Sequence, residues 1–173
     1  MLKIAVTGPE STGKSALCEA LAAHYKTNWV PEFARDYLEG KQPPYSENDL
    51  NAIADGQTLH ENKIAEITES ILFCDTEMTV MKIWSEHAFG YCTPHIANLY
   101  NKQSYDFYLL ADIDLNWEPD PLREHPHLRE YFFNRYKKEL NEANHPFKII
   151  SGMGDIRLDN AVKAVDIFLK NQR

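Results

Sequence analysis

Short apolar runs alternate with longer stretches of helical periodicity along the chain. Apolar runs bounded by turn-forming residues are typical of strands buried on both faces of a parallel sheet. The predicted strands are Lys3–Thr7, Asn28–Pro31, Ile71–Asp75, Phe107–Asp112 and Phe147–Ser151. The predicted helices are Lys14–Tyr25, Glu47–Ser70, Val80–Phe89, His95–Asn101, Leu128–Glu142 and Asp155–Leu169. Strands joined by helical crossovers predict a three-layer α/β/α fold with a five-stranded parallel sheet.

Two local patterns support these helices. Ser46, followed three residues later by Asp49, resembles a capping box that opens the second helix after Pro43-Pro44. The last helix places its apolar residues on one face, which should pack against the sheet. Those residues are Leu158, Ala161, Val162, Val165, Phe168 and Leu169. We find no composition break that would mark a linker, and we expect one domain over residues 1–173.

Composition narrows the classes of protein that fit. The 173 residues are 43% hydrophobic and carry a formal net charge of -8, and an acidic chain without a basic run is a poor candidate for binding nucleic acid. Its three cysteines form no CxxC pattern, which favours a reducing compartment. The N-terminal MLKIAVTG is unlike a signal peptide, and no apolar run reaches the roughly eighteen residues of a membrane span. We expect a cytoplasmic protein without a membrane or nucleic-acid partner; a homo-oligomer remains possible.

Residues 8–15 read GPESTGKS and match the phosphate-loop pattern G-x-x-x-x-G-K-[ST] between a predicted strand and a predicted helix. In such loops the backbone N–H groups converge on a phosphate at the positive end of the helix. We expect Lys14 to reach the β- and γ-phosphates of ATP and the Ser15 hydroxyl to bind Mg²⁺. The residues expected to surround the nucleotide phosphates are Gly8, Glu10, Ser11, Thr12, Gly13, Lys14, Ser15 and Ala16.

Carboxylates follow the second and third predicted strands. The apolar segment ILFCDTE (71–77) ends in Asp75 and Glu77. Asp75 would either bind the metal or the acceptor hydroxyl, or cap the next helix. The segment VPEFARDY places Glu32, Arg35 and Asp36 where an open α/β sheet presents its ligand crevice. Glu32 is a candidate general base or hydroxyl-positioning group, and Arg35 and Asp36 are candidate acceptor-binding residues; the alternative is a surface charge cluster.

The helix over residues 47–70 has an apolar face that polar residues interrupt near Gln57 and His60. An acceptor pocket would explain this interruption, but so would a frayed helix edge.

The segment of residues 112–130 is rich in proline, acidic and basic residues, which is typical of a mobile lid that excludes water from a kinase site. Arg123 and Arg129 are candidates to compensate charge on the transferring phosphoryl group. Trp117 is a candidate to stack on a base, and Asp120 to meet a hydroxylated or cationic acceptor. The alternative is that Trp117 packs the loop and Arg129 is a solvated helix residue.

Together, GPESTGKS, VPEFARDYL, FCDTE and YDFYLLADIDLNWEPDPLRE resemble the ribosylnicotinamide kinase domain of NadR-type proteins, in the same order over nearly the whole chain. The resemblance implies ATP-dependent phosphorylation of the 5′-hydroxyl of nicotinamide riboside to nicotinamide mononucleotide. It assigns phosphate and magnesium contacts to Lys14 and Ser15, a strand-end role to Asp75 and a lid role to Arg123. VPEFAR is also similar to the deoxynucleoside kinases, whose glutamate acts as the base, which supports Glu32.

The resemblance does not extend to every feature of the family. Glu77 stands where NadR-type domains often have aspartate, and the DNA-binding and adenylyltransferase roles of full-length members are not implied for this chain. Two other functions stay open: another nucleoside or small-metabolite kinase, and an ATP-binding switch or ATPase without a small acceptor. The arginine-bearing lid argues against a pure switch.

Overall fold

The computed structural model describes residues 1–172 and contains one five-stranded sheet. Its strands are β1 (Leu2–Thr7), β2 (Asn28–Val30), β3 (Ile71–Asp75), β4 (Phe107–Ala111) and β5 (Phe147–Ile150). They lie in the order β2-β3-β1-β4-β5, and every neighbouring pair is parallel. The predicted parallel sheet is confirmed.

Seven α-helices and a short 3-10 turn connect the strands within residues 1–172. The helices are α1 (Lys14–Tyr25), α2 (Phe33–Leu38), α3 (Glu47–Glu66), α4 (Met78–Phe89), α5 (Pro94–Lys102), α6 (Arg129–Glu142) and α7 (Asp155–Asn171). The 3-10 turn, Pro126–Leu128, leads directly into α6. None of these helices is both long enough and apolar enough to cross a membrane.

The alternation of side chains along each strand separates two cores. On one face of the sheet, Ile4 and Val6 of β1 pack with Leu21 of α1 and Val165 of α7. On the other face, Ala5 belongs to a cluster with residues of α4 and α6. The sheet therefore lies between two helical layers, and the three-layer α/β/α prediction is confirmed.

A third core lies among α2, α3, α4 and α5 and contains no strand residue. It joins Leu38, Leu50, Met81 and Ile96, all of them buried. This cluster holds the helices that follow β2 and β3 at the carboxyl edge of the sheet. Some of its members, Leu38 and Trp84 among them, also line the cavity described below.

The structure corrects several predicted boundaries. Strand β2 stops at Val30, because Pro31 has no N–H to continue a ladder. The six-residue helix α2 follows; it is too short to show a helical period, and the sequence analysis missed it. Helix α3 ends at Glu66 instead of Ser70, and the Thr68 hydroxyl donates to the Ile64 carbonyl at its end. The predicted capping box of Ser46 and Asp49 is present.

Candidate active site

The phosphate loop runs from the end of β1 to the start of α1 in a conformation that needs glycine at two positions. Gly8 has φ 135°, and a Cβ there would lie 3.0 Å from the Ala111 carbonyl oxygen of β4. Gly13 has φ 73° and precedes the first turn of α1. The loop therefore packs directly on the neighbouring strand, with its amide groups at the N-terminal end of a helix.

Lys14 lies over this loop, where its Nζ donates to the Pro9 carbonyl at 2.9 Å. The Thr12 hydroxyl donates to the same carbonyl at 2.8 Å. These two bonds close the loop on itself and hold the ammonium group of Lys14 on its concave side. Lys14, Ser15 and the other predicted phosphate-contacting residues all line one cavity.

Asp75 ends β3 and is fully buried. Neither of its carboxylate oxygens has a hydrogen-bond partner among residues 1–172. Burial and the neighbouring Glu32 carboxylate raise the pKa of Asp75 to about 6, and Lys14 and the Ser15 hydroxyl act in the opposite direction. A buried carboxylate with two free oxygens beside a serine hydroxyl has the donor chemistry that Mg²⁺ prefers.

Glu77 has a different environment, although it lies only two residues away. Its carboxylate accepts from the Thr7 hydroxyl at 3.0 Å and from the Thr79 N–H at 2.5 Å, and so caps α4. Burial raises its pKa to about 7, and the bonds from Thr79 and Thr7 reduce that rise. Of the two strand-end carboxylates among residues 1–172, Glu77 has hydrogen-bond partners and Asp75 has none.

Glu32 and Arg35 lie at the start of α2, on the side that faces the cavity. Arg35 donates to Asp120 of the lid segment at 3.0 Å, and its Nε lies 3.9 Å from Glu32. Asp36 is adjacent to Arg35 on the helix and therefore points about 100° away from it; it is exposed outside the cavity. The structure thus brings Glu32, Arg35 and Asp120 together and leaves Asp36 apart.

The segment of residues 113–130 lies across the phosphate loop. Ser11 is its main anchor: the Ser11 hydroxyl accepts from the Glu118 N–H at 2.9 Å, and the Ser11 carbonyl accepts from Arg129 at 3.2 Å. Arg123 also donates to the Ser11 hydroxyl, at 3.4 Å, and lines the cavity. Arg129 lies behind the loop, where it also donates to the Leu115 carbonyl at 2.8 Å.

A second contact joins the lid to the loop through Glu10. One oxygen of its carboxylate accepts from the N–H groups of Glu124 and His125, at 3.1 and 3.2 Å. Burial raises the pKa of Glu10. Trp117 is partly buried outside the cavity, whereas its neighbour Glu118 lines it. The lid is therefore closed over the loop, and its predicted movement stays a prediction.

One cavity of about 450 Å³ connects all these groups. Of the predicted site residues, those of the phosphate loop line it, as do Glu32, Arg35, Asp120 and Arg123. Asp75 and Arg129 lie in its surroundings without lining it, and Asp36 and Trp117 lie outside it.

Part of the cavity wall is formed by aromatic side chains that the sequence analysis did not identify, and we call this part the aromatic chamber. Its walls are the side chains of Tyr45, Trp84, His87, Phe132 and Tyr136, with Leu38, Ile83 and Leu122. Tyr45 and Trp84 meet edge to face, with ring centroids 5.9 Å apart. These residues come from α2, α4, α6, the lid and the α2–α3 connection. The only sequence signal was an aromatic residue on each segment, which is also typical of ordinary core packing.

The comparisons with known proteins agree with this geometry. The family described as "AAA domain" matches residues 3–157, and the chain belongs to that family. It is thus a P-loop domain, with its phosphate loop in residues 8–15.

The NadR resemblance seen in the motifs is confirmed by sequence. Over 124 residues, 69% of this chain, the identity is 27% to the trifunctional NAD biosynthesis/regulator protein NadR of Escherichia coli (strain K12). The identity is the same to NadR of Salmonella typhimurium. The matched stretch is only 30% of the length of each of these proteins.

Solved structures share the fold. A crystal structure of NadR protein in complex with NR superimposes with a TM-score of 0.79 at 21% identity, covering 96% of this chain and 51% of the other. A NadR complex with NAD and AMP-PNP gives the same TM-score and identity, with 49% of that chain covered. Thymidylate kinase from Ehrlichia chaffeensis has a TM-score of 0.67 at 15% identity, over 95% of this chain and 98% of its own.

Proposed function

We propose that this protein transfers the γ-phosphoryl group of ATP to the 5′-hydroxyl of nicotinamide riboside and so forms nicotinamide mononucleotide. The observation that carries the proposal is the single cavity that joins a phosphate loop to an aromatic chamber. Glu32 lines the same cavity, and the buried Asp75 lies close enough for the Glu32 charge to raise its pKa. The relationship to NadR, a protein of NAD biosynthesis, supports the choice of substrate.

The phosphate end provides positive charge and amide donors for ATP. Lys14 would exchange its bond with the Pro9 carbonyl for the β- and γ-phosphate oxygens. Ser15 and the free oxygens of Asp75 would hold Mg²⁺, either directly or through water. When bound, this ion neutralises negative charge on the phosphates. Arg123, which already contacts Ser11 of the loop, would compensate charge on the transferring group.

Glu32 would accept the hydrogen bond of the acceptor's 5′-hydroxyl and aim its oxygen at the γ-phosphorus. Its carboxylate lines the cavity and is partly exposed, with the Arg35 guanidinium 3.9 Å away. Arg35 is in turn held by Asp120, so that a carboxylate, a guanidinium and a second carboxylate are fixed beside the ribose position. Such fixed positioning matters more in phosphoryl transfer than proton removal does.

The aromatic chamber fits the nicotinamide ring of this substrate for an electrostatic reason. The pyridinium ring of nicotinamide riboside carries a positive charge, and aromatic faces attract cations. Tyr45 and Trp84 provide such rings, and the Glu124 carboxylate lines the same chamber. Burial raises the pKa of Tyr45, and the negative charge of the nearby Glu124 raises it further. Neutral bases would gain the stacking contacts without the charge attraction.

A neutral nucleoside remains the second candidate acceptor, because stacking rings accept any planar base. The proposal for Mg²⁺ and ATP is the same for either acceptor.

The deciding experiment is an ADP-release assay with Mg-ATP and one acceptor at a time. Nicotinamide riboside should give turnover well above adenosine, cytidine, uridine, thymidine and a blank without acceptor. Product analysis should find one phosphate added to the riboside. Turnover with a neutral nucleoside instead would keep the chemistry and replace the substrate. ADP release that no acceptor changes would identify an ATPase or switch and end the kinase proposal.

A further inference from the structure

The ends of β2 and β3 carry the two carboxylates of the proposed mechanism, but the ladder between these strands stops just before them. Its last pair is Val30 with Cys74. Pro31 follows and has no N–H to donate, so the backbone alone does not tie Glu32 to Asp75. Something else must set the distance between the two segments.

Gln57, in the middle of α3, fills this gap. Its side chain is buried, with 1% of the residue exposed. Its Oε1 accepts from the Phe33 N–H at 2.8 Å. Its Nε2 donates toward the Asp75 carbonyl at 3.3 Å and the Pro31 carbonyl at 3.4 Å. One amide group therefore bonds the backbone on both sides of Glu32 and also the backbone of Asp75.

The residue before it adds an independent constraint. A Cβ on Gly56 would lie 2.0 Å from the Phe33 ring. Glycine inside a helix costs about 1 kcal/mol relative to alanine, yet here it lets the start of α2 pack directly on α3. Gly56 and Gln57 thus hold Phe33 from two sides, by ring contact and by hydrogen bond.

We infer that Gln57 is a positioning residue that sets Glu32 relative to Asp75. It does not line the cavity, so it acts through the backbone and touches no substrate. The polar break in the apolar face of α3 is therefore neither a frayed edge nor a direct acceptor contact. The inference rests on the proposed roles of the two carboxylates.

The test replaces Gln57 by methionine, which keeps length and burial but removes the amide. Misplacement of a reacting group by about 1 Å can cost about 100-fold, so we expect kcat to fall roughly 10- to 100-fold. The KM for ATP should stay within about threefold, because the phosphate loop is untouched. Gln57→Glu places a buried carboxylate against the Pro31 and Asp75 carbonyl oxygens and should not recover kcat. Gln57→Asn keeps the amide with a shorter reach and carries the test if the methionine variant fails to fold. Thr58→Ala is the matched control, because its hydroxyl bonds only within α3, to the Ala54 carbonyl.

A double-mutant cycle separates positioning from simple destabilisation. In a Glu32→Gln background, Gln57→Met should cost less than about threefold, because the group that it positions is already disabled. Equal costs in both backgrounds would overturn the inference. A crystal structure of the Gln57→Met variant gives a test without activity: an unchanged Glu32–Asp75 separation would also overturn it. Failure of the wild type to phosphorylate any acceptor would refute the proposed function, and the crystal comparison would still decide the role of Gln57.

Discussion

The two ends of the cavity are built in opposite ways. At the phosphate end, the lining residues run consecutively from Gly8 to Ala16, and the backbone makes the shape. At the chamber end, the lining comes from five separate segments, and aromatic side chains make most of the shape. A backbone cradle suits a ligand group that is the same for every substrate, such as a phosphate. Side chains on separate helices suit a base, since each can be changed without disturbing the fold.

We expect the largest effect from removing the positive charge at the phosphate end. Lys14→Ala should lower phosphoryl transfer by at least about 10³-fold, because the ammonium group lies where negative charge develops. Steady-state ADP release with saturating acceptor measures it. Lys26→Ala, a change of the same charge at the far end of α1, should have wild-type turnover. Equal turnover in both variants would contradict the phosphate-end assignment.

The junction of the two ends should be nearly as sensitive. Glu32→Gln should lower kcat by about 10²–10⁴-fold if the carboxylate takes the proton of the acceptor hydroxyl. Pre-steady-state mixing with ATP and nicotinamide riboside separates this from binding. A normal kcat with a raised KM for the riboside would make Glu32 a binding group.

Asp75 predicts a change in stability with a defined sign. Its pKa rises from 3.8 to about 6 on folding, so the folded state holds the proton more tightly. Its stabilising contribution is complete below about pH 4 and is lost as pH rises through 6. At pH 8 in EDTA, the free energy of unfolding of Asp75→Asn should therefore exceed that of the wild type by on the order of 2–3 kcal/mol, measured by urea titration. The difference should vanish near pH 4.

Asp159→Asn is the control for that experiment, because it makes the same substitution at an exposed position of α7 outside the cavity. An Asp75→Asn variant no more stable than the wild type at pH 8 would contradict the destabilisation assigned to the buried Asp75 carboxylate. The same variant should also need more Mg²⁺ for half-maximal turnover.

At the chamber end, Trp84→Ala should raise the KM for the riboside roughly 10- to 50-fold through lost stacking and cation–π attraction. The KM for ATP should not change, and this difference would show that the chamber binds the acceptor and not ATP. Tyr131→Ala removes an exposed aromatic residue outside the cavity and should match the wild type. Parallel increases in both KM values would mean that Trp84 supports the whole fold.

The smallest effect concerns charge selection. Glu124→Gln should reduce the preference for nicotinamide riboside over a neutral nucleoside about three- to tenfold, since 32% of the side chain is exposed and solvent screens it. Added salt should reduce the wild-type preference in the same direction. Glu130→Gln, an exposed site with the same charge change, should leave the preference intact. An unaltered ratio in Glu124→Gln would mean that shape alone selects the acceptor.

The contrast between the two ends also explains what the sequence could predict. The phosphate loop and the five strands come from contiguous patterns, and each was recognised before the structure. The chamber was missed because Tyr45, Trp84 and Phe132 come together only when α4, α6 and the α2–α3 connection pack. Nothing in the spacing of these residues separates a ligand wall from a core.

Other features needed coordinates for a similar reason. Helix α2 has only six residues and follows a proline, so it is too short for its apolar residues to show a helical period. Gln57 was visible only as a polar break in an apolar face, and its partners lie 18 to 26 residues away along the chain. Asp75 and Glu77 look alike in sequence; their different hydrogen bonds distinguish a ligand candidate from a helix cap.

The bonds between Glu10 and the lid have a kinetic consequence. The Glu10 carboxylate of the phosphate loop accepts from the N–H groups of Glu124 and His125, so the loop itself contributes two bonds that hold the lid closed. If the lid lifts in each catalytic cycle, both bonds must break before product leaves. Glu10 would then contribute to the dwell time of the product together with the Ser11 anchor, separately from the rate of the chemical step.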